Sequence, residues 1–434
     1  MISWAREKEV ADTGYSDRVL SVFFAYGAFI PTGWKALFRT GSGVLFGLLF
    51  FVPMKYMNHQ TEVYPMKRML SLLLSLLLLT GCISAQAEDS SPLKVTGSME
   101  LEYATQFSVD YCEGGYALIT NSDGARFLTV PEGAEVPQGL DEDIVTLQMP
   151  LSNLLISSTP VTSLINAIGA LDAVSMTTQE DDGWYIDDVK AAMDAEKLTY
   201  IGSYKEPDFE VLASNPPPFA VFSTMIDSVP DVADKLREIG IPFMRDTSSQ
   251  ESDPLGRMEW IRLYGMLLGR EAEAEAYFAQ QKALVASIPS ESTGKTVAMF
   301  YITSKGDLYT RRAGDYMTKM LEMGGGVYAM PDLEPDKSGT KKVEAEEFYA
   351  AAGEADFIVY IWSMGGKPDS MEAFTSRSEI LKDFKAVKEG NVWFTTPDYF
   401  QVSDTLGSMI LDFHKMLTNT DETVTEFTYL FKLK

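Results

Sequence analysis

Short apolar segments alternate with helical segments over most of the chain, and this alternation limits the folds open to it more than any other feature. The apolar runs NLLISS, FAVFST and IPFMRD are separated by segments with helical periodicity such as TPVTSLINAIGALD. Pro160 lies near the first turn of that helix, where the missing N–H costs little. Short strands separated by helices form parallel βαβ units. Residues 95–268 are therefore predicted to form an N-terminal α/β lobe.

The same alternation restarts after a long helical stretch. From Pro254 to Ile288 the chain contains helix formers almost throughout, interrupted at Gly269. The strands TVAMFYI, DFIVYIW and NVWFTT then alternate with helical segments such as SDTLGSMILDFHKML. This pattern predicts a connecting helix over 269–289 and a C-terminal α/β lobe over 290–434. The expected fold is α/β, with two Rossmann-like lobes joined by a single long helix and a ligand cleft between the lobes.

A β-hairpin is predicted at the start of the N-terminal lobe. In YALITNSDGARFLTV, apolar and polar residues alternate on both sides of Asn121 to Gly124, and these four residues supply the turn. We therefore expect a leading hairpin ahead of the parallel strands.

An apolar segment upstream of both lobes has the layout of a secretory signal. MKRMLSLLLSLLLLTGC, residues 66–82, starts with two cations, continues with an apolar run too short to span a bilayer, and ends in small residues before Cys82. This end resembles a bacterial lipobox, so residues 66–81 are predicted to be a lipoprotein signal peptide. Lipid such as palmitate on Cys82 would anchor the protein outside the plasma membrane, with residues 82–94 as a polar tether.

The alternative for this segment is a buried core helix. Such a helix would show polar and apolar faces and would not lead into the polar stretch AQAEDSSP. Because a secretory signal is read at the N-terminus, we interpret residues 1–65 as a non-native N-terminal extension and assign them no function.

The composition excludes several classes of function. Asp and Glu number 62 against 36 Lys and Arg, a formal net charge of −26, whereas nucleic-acid binding needs basic surfaces. The cysteines are Cys82 and Cys112 and the histidines are His59 and His414, which leaves no thiolate metal cage and no Ser-His-Asp triad unless His414 supplied the base. No phosphate-binding loop, dinucleotide fingerprint or nucleophile elbow is present. The chain is not expected to be an enzyme, and an α/β enzyme stays the weakest alternative.

Two α/β lobes joined by a long helix behind a lipobox resemble the helical-backbone substrate-binding proteins of ATP-binding-cassette (ABC) importers for ferric siderophores, haem and cobalamin. The resemblance covers about residues 145–420 and depends on the order of SSTPVTSLINAIGALDAVSMTT, PDFEVLASNPPPFAVFS, LGREAEAEAYFAQQKAL and DLYTRRAGDYMTKMLEMGGG. It implies a monomeric receptor that delivers a small ligand to an ABC permease and its ATPase. The long leading hairpin, and TQEDDGWY in place of the family's aspartate–tyrosine loop, depart from the family pattern.

Candidate ligand-binding residues follow the strands, because open α/β sheets bind ligands beyond the carboxyl ends of their strands. Small polar groups, aromatic rings and a thioether at these positions are suited to contacting a bulky chelate. The residues chosen are Ser158, Thr159, Trp184, Tyr185, Tyr204 and Met225 in the first lobe, and Tyr301, Arg311, Arg312, Trp362 and Tyr399 in the second. Aromatic residues at strand ends are also common in cores, which is the alternative for Trp362.

Arg311 and Arg312 give the most specific indication of the ligand. Ferric catecholate and carboxylate complexes are anionic, and a guanidinium presents a planar set of donors to their oxygens. The two residues are adjacent in a predicted strand-to-helix loop of a very acidic chain. The alternative is that either arginine pairs with a surface carboxylate such as Asp315, since adjacent side chains need not face the same way.

The sequence therefore predicts a lipid-anchored receptor that binds a ferric siderophore-type complex, with no cofactor apart from the Fe(III) chelate that is its ligand. Cobalamin and haem are the alternative ligands within the same transporter class. Cobalamin would need aromatic walls but not the arginine pair. Met225 and Met176 are weak candidates for binding haem iron, because the usual histidine partner is missing.

Permease docking is expected from two glutamates. The resemblance implies that one glutamate on each lobe docks into an arginine pocket of the permease, and by pattern these are Glu210 in DFEVL and Glu346 in VEAEEF. Glu344 and Glu347 are alternatives to Glu346, and both assigned residues have the alternative role of solvated helix carboxylates.

Overall fold

The computed structural model describes residues 92–362 and 366–433. The predicted extension over 1–65, the signal peptide over 66–81 and the lipidation residue Cys82 lie outside the described residues. Within the part of the chain that is described, no helix is both long and apolar enough to cross a bilayer.

The first five strands form one sheet in the order β1-β2-β3-β4-β5. The predicted hairpin is confirmed as β3 and β4, and its turn is closed by hydrogen bonds from Asn121 N to Ala125 O and from Gly124 N to Asn121 O, both 2.9 Å. This hairpin is the centre of a larger sheet, because β2 pairs antiparallel with β3 and β5 pairs in parallel with β4. The strands are β1 Val95–Ser98, β2 Phe107–Cys112, β3 Ala117–Asn121, β4 Arg126–Val130 and β5 Ile144–Gln148.

The next sheet, with its helices, is named lobe 1 and consists of five parallel strands in the order β12-β11-β6-β7-β8. The strand order reverses at β6, which has later strands on both sides. Its strands are β6 Leu154–Ser157, β7 Val174–Thr177, β8 Thr199–Tyr200, β11 Ala220–Ser223 and β12 Phe243–Asp246, with a separate pair β9 Gly202–Ser203 and β10 Glu206–Pro207. Its helices are α1 Thr159–Ala167, α2 Asp187–Asp194, α3 Phe209–Ser214 and α4 Pro230–Glu238.

Two helices follow lobe 1. Helix α5, Pro254–Leu268, begins after Asp253, whose side chain accepts a hydrogen bond from Leu255 N at 2.8 Å, and it ends at Gly269 with φ of +65°. Glycine adopts this left-handed conformation without a steric penalty, which explains the interruption seen in the sequence. Helix α6, Glu271–Ala286, lies in the segment predicted to connect the lobes. It packs closely on α5, since a side chain at Gly265 would come within 2.5 Å of the Ala274 Cβ.

The last sheet, with its helices, is named lobe 2 and has the order β16-β14-β13-β17-β18-β19, with β15 also paired to β13. Strands β13, β15, β17 and β18 are parallel, as the βα alternation predicted, while β14, β16 and β19 run antiparallel to their neighbours. The strands are β13 Thr296–Ile302, β14 Leu308–Arg311, β15 Val327–Tyr328, β16 Thr340–Val343, β17 Phe357–Tyr360, β18 Val392–Thr395 and β19 Leu430–Lys432. The helices are α7 Tyr316–Met323, α8 Ala345–Ala352, α9 Met371–Thr375, α10 Lys385–Lys388 and α11 Leu406–Thr418.

Helix α5 lies at the centre of the core. Its side chains are buried on nearly every face, and the ring of Trp260 packs edge-on against Phe107 of the first sheet with centroids 4.7 Å apart. Buried side chains form a continuous apolar cluster from the first sheet through α5 into lobe 2. Each fully buried large apolar side chain contributes roughly 1.5–3 kcal/mol. The predicted mixed α/β fold with two lobes is confirmed.

Two buried glutamates attach the start of the first sheet to α5. The Glu259 carboxylate accepts hydrogen bonds from the backbone N–H groups of Glu102, Tyr103 and Ala104 at 2.8–3.1 Å. The Glu251 carboxylate accepts from the next two N–H groups, those of residues 105 and 106, at 2.9–3.0 Å. Each carboxylate accepts the hydrogen bonds that water would otherwise accept from these N–H groups. The bonds therefore hold residues 102–106 against α5 and the segment before it.

Candidate ligand-binding site

A cavity of about 500 Å³, named the outer cavity, lies at the carboxyl edge of the lobe 1 sheet. The residues directly after β6, β7, β11 and β12 form its walls, and most are Ser or Thr. This is the position where the strand order reverses, which is where open α/β sheets bind ligands. Four of the residues predicted from the sequence line it, namely Ser158, Thr159, Tyr204 and Met225.

The larger side chains of the outer cavity are Tyr204 and Met225. Tyr204 lies in the turn between β9 and β10, with the Lys205 ammonium 5.6 Å from the centre of its ring. Met225 follows β11 and is 53% exposed. A partly buried ring and an exposed thioether give the cavity apolar surface beside its hydroxyl groups.

Asp246 is the buried carboxylate of the outer cavity. Its oxygens accept hydrogen bonds from the backbone and hydroxyl of Ser248 and from the Tyr264 hydroxyl, at 2.5–3.1 Å. Burial raises the pKa of Asp246, and these hydrogen bonds act in the opposite direction. Both carboxylate oxygens are therefore already bonded within the protein, and Asp246 serves to orient the Ser248 loop.

A second cavity of about 190 Å³, named the inner cavity, adjoins the outer one. The two cavities share Pro160, Ser248 and Ser249 as walls. The remaining walls come from α5, from the start of α7 and from the loop after β18, so lobe 2 completes a site that begins in lobe 1. They are Arg257, Tyr316, Tyr399, Phe400, Ser403 and Leu406. Tyr399 is thus a fifth predicted residue at the site.

Arg257 is a functional candidate that the sequence reasoning missed. Its Nε donates to Glu251 O at 2.9 Å and a terminal nitrogen donates to Ser249 O at 2.5 Å. Its guanidinium lies over the Tyr316 ring, 3.7 Å from the centroid. Within residues 92–362 and 366–433, no carboxylate pairs with it. Burial lowers the pKa of Arg257, because the surroundings disfavour its charge.

Arg311 lies next to the inner cavity, behind its wall residue Phe400. It ends strand β14 and is 6% exposed, and its guanidinium lies 5.4 Å from the centre of the Phe400 ring. An oxygen of Asp315 is 3.6 Å from one of its nitrogens, which is an ion pair but not a hydrogen bond. Asp315 instead accepts hydrogen bonds from Met317 N, Gly339 N and Ser338 Oγ. The carboxylate named as an alternative partner is therefore present, but other donors occupy it.

Arg312 points away from the site. Its Nε donates to Glu334 at 2.8 Å and a terminal nitrogen donates to Ser338 O at 3.0 Å. Glu334 also pairs with Lys341 and Lys337, and hydrogen bonds from Lys341 first and Arg312 second lower its pKa to about 2. Adjacent residues of an extended chain face opposite ways, so only one of the two arginines can reach the cavity. The two arginines therefore do not act as a pair at the cavity, and the alternative of a carboxylate partner describes Arg312, which is bonded to Glu334.

Two other predicted aromatic residues lie in the core. Trp184 is 1% exposed, and its indole N–H donates to Gln179 O at 3.3 Å. Tyr301, 6% exposed, stacks on Tyr309 across β13 and β14 with centroids 5.3 Å apart. Neither lines the outer or the inner cavity. Large rings gain more by burial against neighbouring apolar groups than by facing a solvent-filled cleft.

Trp362 and Tyr185 also lie outside both cavities. Trp362 packs edge-on against Phe431 of β19, with centroids 5.8 Å apart, so the core alternative describes its position. Tyr185 is 47% exposed, and its backbone N–H donates to Gln401 Oε1 at 2.9 Å. The Gln401 Nε2 donates to Gly183 O at 2.6 Å. This loop of lobe 1 therefore contacts lobe 2 through its backbone, with the Tyr185 ring turned to solvent.

The two glutamates predicted to dock on a permease are exposed. Glu210 lies in the first turn of α3, which Asp208 caps by accepting from Glu210 N and Val211 N. Glu346 lies in the first turn of α8. A carboxylate is favoured at a helix N-terminus by the helix dipole, whatever its other role.

Two α/β lobes with a cavity at the switch point of the first, completed by the second, define a bilobal binding protein. Comparison with known families agrees with this architecture. The family model described as "Periplasmic binding protein" matches residues 158–399, and the chain belongs to this family. The resemblance stated from the sequence is confirmed.

Two similar curated proteins are uncharacterized lipoproteins of Methanocaldococcus jannaschii. One is 24% identical over 75% of this chain and 85% of its own length, and the other is 26% identical over 73% and 82%. Among solved structures, a possible iron-binding (periplasmic solute-binding) protein from Staphylococcus epidermidis is 18% identical with a TM-score of 0.49, covering 62% of this chain and 100% of that one. A periplasmic catecholate-siderophore binding protein from Vibrio cholerae is 17% identical with a TM-score of 0.48, covering 62% and 94%.

Proposed function

We propose that this protein is the substrate-binding lipoprotein of an ABC importer, and that it captures a ferric siderophore-type iron complex between its lobes. The observation that supports this most is the pair of guanidinium groups of Arg257 and Arg311 beside the inner cavity. An anionic ferric chelate would supply hydrogen-bond acceptors to Arg311, and an anionic partner to Arg257, whose acceptors in the described residues are two backbone carbonyls.

The proposed binding residues come from both cavities. Ser158 and Thr159 offer hydroxyl groups to the body of the chelate, and Tyr204 and Met225 offer apolar contact area. Tyr399, with Tyr316 and Phe400, would form the aromatic wall at the inner end. The outer cavity, at about 500 Å³, lies within the range of roughly 300–1,000 Å³ common for small-molecule sites.

The protein is proposed to act outside the plasma membrane, anchored by lipid on Cys82. The lipobox-like end of residues 66–82 supports this, and so do the two similar proteins of M. jannaschii, which are named lipoproteins. Lipidation would keep the receptor close to the permease and ATPase to which it delivers the chelate.

The ligand assignment is tested by equilibrium binding to purified residues 83–434. Ferric catecholate and hydroxamate siderophores, haemin and cobalamin are titrated separately by calorimetry. We expect submicromolar binding of a ferric siderophore. Submicromolar binding of cobalamin alone, or of haemin alone, would overturn the siderophore proposal and select that ligand instead.

Permease docking is proposed for Glu210 and Glu346, because both carboxylates are exposed on separate lobes. Glu210→Ala and Glu346→Ala should leave the affinity for the chelate unchanged and lower cellular uptake of radioactive iron. Glu354→Ala, an exposed glutamate that follows the end of the same helix, is the control and should not lower uptake. Normal uptake in the Glu210 and Glu346 variants would remove the docking assignment.

A further inference from the structure

The inner cavity is too small to hold a whole chelate. Its volume of about 190 Å³ falls below the roughly 300 Å³ at which small-molecule sites begin, whereas the adjoining outer cavity falls within that range. The two share walls at Pro160, Ser248 and Ser249, so the inner cavity lies next to a ligand bound in the outer one. The inner cavity therefore suits a single chemical group that extends from a larger ligand.

Two buried hydrogen-bond donors without acceptors in the described part of the chain lie at the side of this cavity formed by Tyr399 and Phe400. Arg311 is 6% exposed, yet its guanidinium makes no hydrogen bond within residues 92–362 and 366–433, and its Nε is fully buried without a partner. The hydroxyl of Tyr399, in a side chain 2% exposed, is likewise buried without a partner. Buried polar groups are bonded in the great majority of cases, so two unbonded groups side by side call for a ligand.

The two carboxylates that act electrostatically on Arg257, those of Glu251 and Asp315, do not fill this role. Glu251 is bonded to the N–H groups of Thr105 and Gln106 and to the Trp260 indole. Asp315 is bonded to its own helix and to the loop at residues 338–339. Arg257 is left with two backbone carbonyls as its acceptors. Arg257 is partly buried and Arg311 is buried, and neither has a carboxylate of the described residues bonded to it by a hydrogen bond, so an anion supplied by the ligand would be favourable for both.

We propose that the inner cavity is an oxyanion subsite, which binds a carboxylate or phosphate carried by the ligand apart from its metal centre. Arg257 and Arg311 donate to the oxyanion from α5 and β14, and the Tyr399 hydroxyl donates a further hydrogen bond. Two planar guanidinium groups match the oxygens of a carboxylate or phosphate better than the single charge of a lysine would. That the oxyanion belongs to an iron chelate rests on the proposed function. That an oxyanion binds here rests only on the residues around the inner cavity.

The test uses free inorganic phosphate and free malonate as probes for the two sources of an oxyanion. Each is titrated into residues 83–434 by calorimetry at constant ionic strength, and saturable binding of one or both is expected. Saturation by phosphate alone identifies a phosphate group on the ligand, and saturation by malonate alone identifies a carboxylate. No saturable binding of either probe would overturn the proposal.

Arg257→Gln should weaken probe binding at least tenfold, as the loss of a charge-assisted hydrogen bond predicts. Arg312→Gln is the matched control, because Arg312 is bonded to Glu334 and lines neither cavity. Equal weakening in both variants would show a general charge effect and contradict the subsite. Arg257→Lys keeps the charge but loses the planar donors, so it should also weaken binding, and unchanged affinity would overturn the role of Arg257.

The subsite and the proposed function can fail separately. If phosphate or malonate binds as expected but no ferric siderophore binds, the function is wrong and the subsite remains. If a ferric siderophore binds wild type and Arg257→Gln equally and neither probe binds, the function remains and the subsite is wrong.

Discussion

The unbonded hydroxyl of Tyr399 leads to a prediction with opposite signs for stability and for binding. Leaving a buried hydroxyl without a hydrogen bond costs about 1–3 kcal/mol. Tyr399→Phe removes the hydroxyl and keeps the ring that packs edge-on against Phe400, 5.8 Å between centroids. The ligand-free variant should therefore be more stable than wild type by about 1 kcal/mol. Its affinity for the ligand should fall by up to about tenfold, because the bond that the ligand would have accepted is missing.

Tyr360→Phe is the matched control for this prediction. Tyr360 is also buried, but its hydroxyl donates to Ile302 O at 3.2 Å and accepts from Arg377 at 3.0 Å. Removing it should lower the stability by about 1–2 kcal/mol and leave ligand affinity unchanged. Urea unfolding of residues 83–434 without ligand measures the first effect, and calorimetry measures the second. A loss of stability in Tyr399→Phe equal to that in Tyr360→Phe would show that the Tyr399 hydroxyl is bonded in the free protein, which contradicts this prediction.

Two further predictions concern the parts of the fold around the site. Glu259→Ala should lower the free energy of unfolding by about 3 kcal/mol, because three backbone N–H groups lose their acceptor, whereas Glu275→Ala, at an exposed ion pair with Arg262, should cost less than about 1 kcal/mol. A small loss in both would show that the 102–104 segment is not held by Glu259. The pKa of Glu334 is lowered from 4.5 to about 2, so its ion pairs stabilise the fold above pH 4.5 and lose this effect as the pH falls towards 2. The stability difference between wild type and Arg312→Ala, measured by urea unfolding, should therefore shrink over that pH range, and a constant difference would contradict the network.

The parallel strands were predictable because their residues are apolar and because polar residues or proline mark where each strand ends. Strand β6 ends in small polar residues, and α1 begins with Pro160, so the boundary between them is visible in the sequence. The wall residues Ser158 and Thr159 follow from this boundary and from the rule that ligands bind beyond the carboxyl ends of strands. Antiparallel strands such as β14 were missed, since four residues with mixed polarity carry little periodic signal.

The arginines show why the site was only partly predictable. Arg311 and Arg312 are adjacent residues of the same type, so the sequence does not distinguish them. The position of β14 in its sheet buries Arg311 and leaves Arg312 to pair with Glu334. Arg257 had a usable signal that was overlooked. It lies in α5, a helix apolar on nearly all sides, and charged residues such as Arg257 and Glu259 within such a helix require buried partners or a ligand.

The aromatic residues could not be assigned to the core or to the binding site from the sequence, because both positions favour large aromatic side chains. Trp184 and Trp362 pack within the protein, while Tyr399 lines the inner cavity, although each follows a strand or turn near the same sheet edges. A ring in the core and a ring covered by a bound ligand both bury apolar area, so the residue type does not distinguish the two positions. The tertiary packing, which the local sequence does not specify, makes the difference.

The most direct test of the proposed function is calorimetric titration of residues 83–434 with an anionic ferric tris-catecholate, compared with cobalamin as a neutral ligand. We expect submicromolar binding of the ferric complex, weakened at least tenfold in Arg257→Gln and unchanged in Arg312→Gln. Tight binding of cobalamin with none of the ferric complex would contradict this expectation.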